Sequence, residues 1–181
     1  AHAVVAGVIP TPAVAYLVRK YRLDAGVMIS ASHNPVEYNG IKFFNNQGYK
    51  LSDALEDEIE NIIMSHPEIL PSPTGIGLGT KEYAEDALDD YIAFLTRTTT
   101  EKFDGIKVAL DCANGAAYKA APIAMLDLGA SLCIIHNEPD GTNINDKCGS
   151  THMDDLKEMV VKNGADIGFA FDGDADRCLA V

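Results

Sequence analysis

The chain has 181 residues, 47% of them hydrophobic, which is enough to build the core of one large or two small globular domains. Its 14 Lys and Arg residues stand against 27 Asp and Glu residues, which gives a formal net charge of −13. This acidic balance argues against nucleic acid and anionic membranes as partners, since both bind clustered cations, and the apolar runs are far shorter than the roughly 20 residues that cross a bilayer.

An alternation of strand and helix patterns begins with the first residues. The run AVVAGVIP predicts a short strand, and TPAVAYLVRKYR predicts a helix that Thr11 caps and that has Pro12 at its first position. AGVMIS, residues 25–30, is a continuous apolar run of the kind found in covered strands, and GIKFF begins another strand. Ser52 can cap a helix that extends to about Ser65, with apolar residues at helical spacing.

The stretch HPEILPSPTGIGLGT, residues 66–80, separates two such series. It carries three prolines and three glycines and predicts a linker, so we place one domain at 1–78 and a second at 79–181. An amphipathic helix follows, and then the strands GIKVALDC, SLCIIH and DIGFAFD, with helices predicted at 116–128 and 153–163 between them. The predicted fold class is α/β, with two successive α/β/α layered domains whose sheets are mixed and mostly parallel.

The cysteines and histidines form no motif of their own. The four cysteines lie far apart, form no C-x-x-C pair and follow no secretory leader, so we expect reduced thiols in a cytoplasmic protein. His136 has no ligand-like spacing, and His152 is expected at a helix start or on the surface. Asn114 and Gly115 are expected in a plain tight turn rather than at a phosphate-binding helix start.

Three aspartates alternate with small residues in FDGDADR, at the end of the strand DIGFAFD. Carboxylates as close as Asp172, Asp174 and Asp176 need a compensating cation, and such oxygen ligands suit Mg²⁺ or Ca²⁺. An EF-hand is excluded, because Arg177 stands where that loop needs glycine. A solvated acidic turn is the alternative, and the adjacent arginine favours a site for both a phosphate and a metal.

The stretch SASHNPVEYNGIKF, residues 30–43, places Ser32 just past the end of a predicted strand, the edge at which α/β sheets bind ligands. An acyl-transfer nucleophile would need a G-x-S-x-G turn, which is absent, and His33 points the wrong way to activate the serine before it. A helix N-cap at Ser32 is disfavoured by Pro35. The third interpretation is a phosphorylated serine whose charge is offset by the metal and by Lys42.

Together these segments carry a family resemblance. ISASHNP, followed by NGIK, resembles the phosphoserine loop of the α-D-phosphohexomutases, and FDGDADR resembles their metal loop. Within that superfamily, GVIPTPAVAYL and PDGTNINDKCGSTH, residues 139–152, are similar to the phosphoglucosamine mutase branch. The resemblance extends across essentially the whole chain, with Ser30 where the family often has threonine.

The resemblance implies a role for each matching residue. Ser32 would carry the transferable phosphoryl group, and Mg²⁺ would be held by phospho-Ser32 together with Asp172, Asp174 and Asp176. Lys42 matches the proposed general base, His33 matches a catalytic position at the reaction centre, and Arg177 matches a substrate-binding position.

The implied reaction interconverts glucosamine 6-phosphate and glucosamine 1-phosphate through a bisphosphate intermediate, on the way to UDP-N-acetylglucosamine. A sugar phosphate is then the small-molecule partner, and the family allows a homodimer. The chain resembles only the later part of the first family domain and most of the second, so we expect an incomplete first domain and a fragment without turnover. The alternatives are a phosphomannomutase or phosphoglucomutase, a non-catalytic folded scaffold, and a Mg²⁺-dependent phosphatase with an aspartyl nucleophile.

Overall fold

The computed structural model describes residues 1–181 and alternates strands with helices, which confirms the α/β class. The strands are β1 Ala3–Val5, β2 Ala25–Ser30, β3 Gly40–Asn45, β4 Lys81–Tyr83, β5 Lys107–Asp111, β6 Ser131–Ile135, β7 Ile167–Phe171 and β8 Cys178–Ala180. The α-helices are α1 Thr11–Lys20, α2 Asp53–Ser65, α3 Ala87–Thr96, α4 Ala117–Asp127 and α5 Asp154–Asn163. No helix combines the length and the apolar character that a membrane crossing requires.

A four-stranded sheet in the order β6-β5-β7-β8 organises the second half of the chain. β5 pairs in parallel with β6 and β7, and β8 runs antiparallel to β7, so the sheet is mixed and mostly parallel. Successive residues of β5 face opposite sides of the sheet: Val108 and Leu110 pack with α4, and Ala109 packs with Leu156 of α5. Because a helix covers each face, this half has the predicted α/β/α layers.

The first half has smaller sheets. β1 pairs in parallel with β4, and β2 pairs antiparallel with β3. α1 contributes Leu17 to a core cluster that also contains Tyr91 of α3 and Ala120 of α4, so the two halves share buried apolar surface. β4 follows the domain boundary predicted at residue 78, and yet it pairs with β1 of the first half. The position of that boundary therefore stays a prediction.

Much of the apolar surface of the first half is open to solvent. The strand at residues 25–30 has the predicted bounds, but Val27 and Ile29 are 51% and 67% exposed. The prediction that it is a covered strand is therefore wrong for this chain: its Gly26 face lies against Val14 and Val18 of α1, and its other face stays open. α2 likewise buries none of its residues.

Candidate functional site

Both predicted loops leave the carboxyl ends of strands. The serine loop, residues 30–34, follows β2, and the aspartate loop, residues 172–177, follows β7. Ser32 is half-buried and has a φ of 53°, in the left-handed region that residues other than glycine rarely adopt. Its backbone N–H donates to the Ser30 hydroxyl oxygen at 2.9 Å. Ser32 is thus held in an unfavourable conformation, and the Ser30 hydroxyl is one of the groups that hold it.

The three carboxylates of the aspartate loop converge. One oxygen from each lies within 4.8 Å of the others; Asp172 and Asp174 are 1% and 0% exposed, and Asp176 is exposed. Oδ2 of Asp172 and Oδ1 of Asp174 are buried and have no hydrogen-bond partner. Because a buried carboxylate oxygen without a donor is costly, this donor set fits a hard divalent cation with oxygen ligands.

Lys42 is the countercharge of this cluster. Its ammonium group, on β3, donates to Oδ2 of Asp174 at 2.6 Å and to Oδ2 of Asp176 at 2.7 Å. Burial acts to lower the pKa of Lys42, but the hydrogen bonds to Asp174 and Asp176 outweigh burial and raise this pKa above its usual value. Lys42 is therefore a protonated donor, and the general-base role, which needs a neutral amine, stays a prediction.

The two buried carboxyl groups differ in their pKa. Burial raises the pKa of Asp172, and the charge of Asp174 adds to this rise. Burial also acts to raise the pKa of Asp174, but hydrogen bonds from Lys42 and Thr11, with a smaller contribution from the Ser32 hydroxyl, lower it below its usual value. The negative charge of Asp172 is thus not compensated by its surroundings, and a bound cation would compensate it.

Thr11 does not cap α1, and that prediction is wrong. The helix begins at Thr11 itself, with Pro10 at the N-cap position and no side-chain cap. The Thr11 hydroxyl donates instead to Oδ2 of Asp174 at 2.6 Å, and the Thr11 N–H donates to the Asp174 carbonyl oxygen at 2.9 Å. Thr11 therefore ties the first half of the chain to the aspartate loop.

Asn145 contacts the serine loop from the second half. It is 8% exposed, and its side-chain amide donates to the carbonyl oxygens of Ser32 at 2.7 Å and Asn34 at 2.9 Å. Gly173 fits beside it, since a Cβ at Gly173 would collide with the Ser32 carbonyl oxygen. The sequence did not identify Thr11 or Asn145 as site residues, and the one signal that points to them is their place in the two segments that resemble the phosphoglucosamine mutase branch.

His33 and Arg177 lie at the rim of this arrangement. His33 is exposed, and its ring makes no hydrogen bond or ion pair. The Arg177 side chain is 57% exposed; its Nε lies 4.0 Å from Oδ2 of Asp172, and its backbone N–H donates to Oδ1 of Asp172 at 3.1 Å. The structure thus brings the serine loop, Lys42 and the aspartates together and leaves these two side chains open to solvent.

A second cluster, made of Asp111, His136 and Cys148, has its potential ligand atoms within 4.8 Å of one another. Both Asp111 oxygens accept backbone N–H groups, from Ala113 and Gly149, each at 2.9 Å, and Nδ1 of His136 lies 3.0 Å from Oδ2. Burial raises the pKa of Cys148 to about 12, so its thiol is protonated. The cluster anchors loops and offers no free set of metal ligands.

A cavity of about 560 Å³ lies away from the converging loops. It is lined in part by Arg19 and Arg22 at the C-terminal end of α1, whereas Thr11 at the other end of that helix contacts Asp174. A helix of ten residues is about 15 Å long, so the cavity and the carboxylate cluster are separate places.

Two family models match the chain. The model for phosphoglucomutase/phosphomannomutase α/β/α domain I matches residues 1–69, and the model for domain II matches residues 83–181, which is more than half of the chain. The chain belongs to the phosphoglucomutase/phosphomannomutase family. This confirms the resemblance seen in the two loops and the two α/β/α domains.

Similar proteins match the chain over all or nearly all of its length. The phosphoglucosamine mutases of Clostridium beijerinckii and Ruminiclostridium cellulolyticum are 64% identical over 181 residues and 65% identical over 175 residues. A crystal structure of a phosphoglucomutase/phosphomannomutase family protein from Burkholderia thailandensis has a TM-score of 0.79 and 25% identity, with 99% of this chain and 40% of that chain covered. These two matches include 100% and 97% of this chain, but they span only 40% and 39% of the two mutases.

Proposed function

We propose that the chain carries the nucleophile and the metal loop of a phosphoglucosamine mutase, which interconverts glucosamine 6-phosphate and glucosamine 1-phosphate. The observation that carries the proposal is the meeting of the serine loop after β2, Lys42 of β3, and two buried carboxylates with unpartnered oxygens in the loop after β7. The identities of 64% and 65% to phosphoglucosamine mutases support this branch over the phosphomannomutase and phosphoglucomutase branches.

In the proposed reaction, the phosphoryl group on Ser32 passes to a hydroxyl group of the sugar phosphate. The bond from phosphorus to Ser32 Oγ breaks while a bond to the sugar oxygen forms, and the hydroxyl proton goes to Lys42, which serves as general base in its neutral amine form, after its ammonium group has lost a proton. The resulting bisphosphate turns round, and its other phosphoryl group returns to Ser32, which leaves the isomeric monophosphate. No phosphate is consumed, so one phosphorylated serine supports many turnovers.

A magnesium ion fits the aspartate loop. Asp172, Asp174 and Asp176 would hold it together with a phosphate oxygen of phospho-Ser32, and the ion would supply positive charge beside the transferring group. The unpartnered buried oxygens of Asp172 and Asp174 support this assignment. Until it loses its proton, Lys42 also adds a positive charge next to the same carboxylates, which favours the phosphoryl group in this position.

The exposed rim residues suit contacts with the substrate. Arg177 presents a fork of N–H donors that matches phosphate oxygens, and its side chain is free to reach them. His33 directly follows the nucleophile, and its exposed ring would approach the reaction centre from the solvent side. A cytoplasmic location and a homodimer stay predictions from the sequence.

The proposal also covers what the chain does alone. Phosphoryl transfer depends on holding the sugar in line with the serine phosphate, and such positioning is worth up to about 7–11 kcal/mol. The relatives carry more than half of their length outside the region that this chain matches. We therefore expect the 181-residue chain to lack turnover and the longer protein to have it.

The test is a coupled assay for glucosamine 1-phosphate, with a protein of the relatives' full length that contains this chain. We expect turnover of glucosamine 6-phosphate, at least about tenfold slower turnover of mannose 6-phosphate and glucose 6-phosphate, and none from the Ser32→Ala variant. Ser72→Ala, an exposed serine in the proline-rich stretch, is the matched control and should behave as the parent.

Three results would count against the proposal. Preference for mannose 6-phosphate would assign the chain to another branch of the family, and full turnover by Ser32→Ala would remove Ser32 as the nucleophile. Turnover by the 181-residue chain within about tenfold of the longer protein would show that the additional segments are dispensable.

A further inference from the structure

The serine loop is fastened to the second half of the molecule by the Asn145 side chain. Both N–H bonds of its amide are used, one to the carbonyl oxygen of Ser32 and one to that of Asn34, at 2.7 Å and 2.9 Å. Because both acceptors belong to the backbone, these bonds fix the path of the chain on either side of His33.

Asn145 is itself held firmly. It is 8% exposed, and its N–H donates to the Ala113 carbonyl oxygen at 3.0 Å, at the end of the sheet of the second half. Its φ of 57° lies in the left-handed region, which asparagine tolerates better than most residues. Its amide therefore projects from a fixed backbone and can set the position of the loop that it contacts.

The aspartate loop meets the same contact. A Cβ at Gly173 would collide with both the Ser32 carbonyl oxygen and the Asn145 amide nitrogen, so the absence of a side chain there lets three segments meet. Two further bonds lie within the serine loop: Ser32 N–H donates to Ser30 Oγ, and Asn34 N–H donates to the Ala31 carbonyl oxygen. These local bonds shape the turn, whereas the bonds from Asn145 fix the turn relative to the aspartates.

We propose that Asn145 is a positioning residue that holds Ser32 at the distance from the aspartate loop at which a phosphate on Ser32 and a cation on the aspartates share an oxygen. The inference rests on the proposed function, since this distance matters only if Ser32 carries the phosphoryl group. Restraint is needed because the left-handed backbone of Ser32 is unfavourable for a residue other than glycine and would otherwise relax.

The test measures the Mg²⁺ affinity of the 181-residue chain by calorimetry, once with Ser32 phosphorylated and once without phosphate. The ratio of the two affinities reports how well the phosphate reaches the ion. Asn145→Gly removes the side chain and keeps the left-handed backbone without strain. Lys147→Gly is the matched control, because Lys147 lies in the same loop with a φ of 52° and is exposed. Salt at about 0.15 M screens the charge that the control loses.

We expect the ratio to fall at least about tenfold in Asn145→Gly and to stay at the parent value in Lys147→Gly. The affinity of the unphosphorylated chain should be equal in all three proteins, whereas a purely structural role would lower both affinities together. An unchanged ratio in Asn145→Gly would overturn the inference and leave the proposed function intact. Equal affinities of the two parent forms would defeat the proposed function and the inference with it.

Hydrogen exchange gives a readout that needs neither phosphate nor metal. Asn145→Asp keeps the shape of the side chain and replaces its N–H donors with carboxylate oxygens, so it serves even if Asn145→Gly fails to fold. We expect faster exchange of the Ser32 and Asn34 amides in both variants, and parent rates in Lys147→Gly. Parent rates in the Asn145 variants would overturn the inference whatever the outcome for the mutase reaction.

Discussion

The two halves of the molecule place similar strands in different surroundings. β5 lies inside a four-stranded sheet with a helix on each face, and its residues 108–111 are at most 2% exposed. β2 has a single partner strand, and Val27 and Ile29 on its open face are more than half exposed. An apolar run therefore determines that a strand forms, and the neighbouring elements determine whether it is buried.

The candidate site lies where these unequal halves meet. The aspartate loop belongs to the well-packed half and the serine loop to the open half, and hydrogen bonds from Thr11, Lys42 and Asn145 connect the two. Core substitutions in the second half should thus act on the stability of the fold, and substitutions at the junction should act on the geometry of the site.

A core truncation in the second half should have the largest effect. Leu156→Ala removes a fully buried side chain between α5 and β5 and should lower the free energy of unfolding by about 2–5 kcal/mol. Ile29→Ala, the matched truncation on the open face of β2, should change it by less than about 0.5 kcal/mol. Urea unfolding measures both, and equal losses would contradict the contrast between the halves.

The junction itself should be sensitive to a single methyl group. Gly173→Ala places a Cβ against the Ser32 carbonyl oxygen and the Asn145 amide, and should cost about 1–3 kcal/mol of unfolding free energy. Gly40→Ala is the control, since the nearest atom to its added Cβ is the Ser30 carbonyl oxygen at 3.5 Å, an ordinary contact. If thermal unfolding found the two variants equally stable, the loops would have to lie further apart than described.

A change in the aspartate loop should stabilise the fold at the expense of its metal affinity. Asp172→Asn replaces a buried carboxylate that has an unpartnered oxygen, so it should raise the melting temperature of the metal-free chain by about 2–4 °C for each kcal/mol gained. Mg²⁺ binding should weaken in the same variant. Asp176→Asn, which removes an exposed partner of Lys42, should not raise the melting temperature. Calorimetry in EDTA decides the point, and a lower melting temperature for Asp172→Asn would contradict the assignment of an uncompensated charge.

The smallest effect should come from the contact between α1 and α3. The Tyr21 hydroxyl donates to Asp90 at 2.8 Å, and hydrogen bonds from Lys20 and then Tyr21 lower the pKa of Asp90 below its usual 3.8. A lowered pKa in the folded state means stability that is present above the usual pKa and is lost as the pH falls through the lowered one. Tyr21→Phe should therefore cost up to about 1 kcal/mol at pH 7 and less below about pH 4.

The control for this contact is Tyr16→Phe, in the helix α1 that Tyr21 directly follows, because the Tyr16 hydroxyl makes no hydrogen bond. Unfolding followed from pH 7 to pH 3 compares the two variants with the parent. A cost of Tyr21→Phe that grows toward low pH would contradict the ionised state assigned to Asp90.

The elements of the fold were predictable because their signals are local. β2 is Ala25–Ser30, as predicted, and the helices predicted at 116–128 and 153–163 are Ala117–Asp127 and Asp154–Asn163. The two loops were recognisable for the same reason, since each is a short contiguous run of residues. Local patterns thus gave the strands, the helices and the candidate nucleophile and metal loops.

The contacts that assemble the site were not predictable in this way. The partner of the Thr11 hydroxyl lies 163 residues along the chain, and the Ser32 contact of Asn145 spans 113 residues. By local criteria, Thr11 before Pro12 fits a helix N-cap, so the sequence predicted a partner within α1 rather than the distant Asp174. The open face of β2 was missed because an apolar run does not show which neighbours are present to cover it.

The most direct test of the central claim is to locate the transferred phosphate. The longer protein is incubated with a labelled hexose 1,6-bisphosphate, quenched under conditions that preserve acyl phosphates, and mapped by peptide mass spectrometry. The account predicts label on Ser32 in the parent and none in the Ser32→Ala variant. Label on Asp172 or Asp174 of the parent would contradict it and favour a phosphatase with an aspartyl nucleophile.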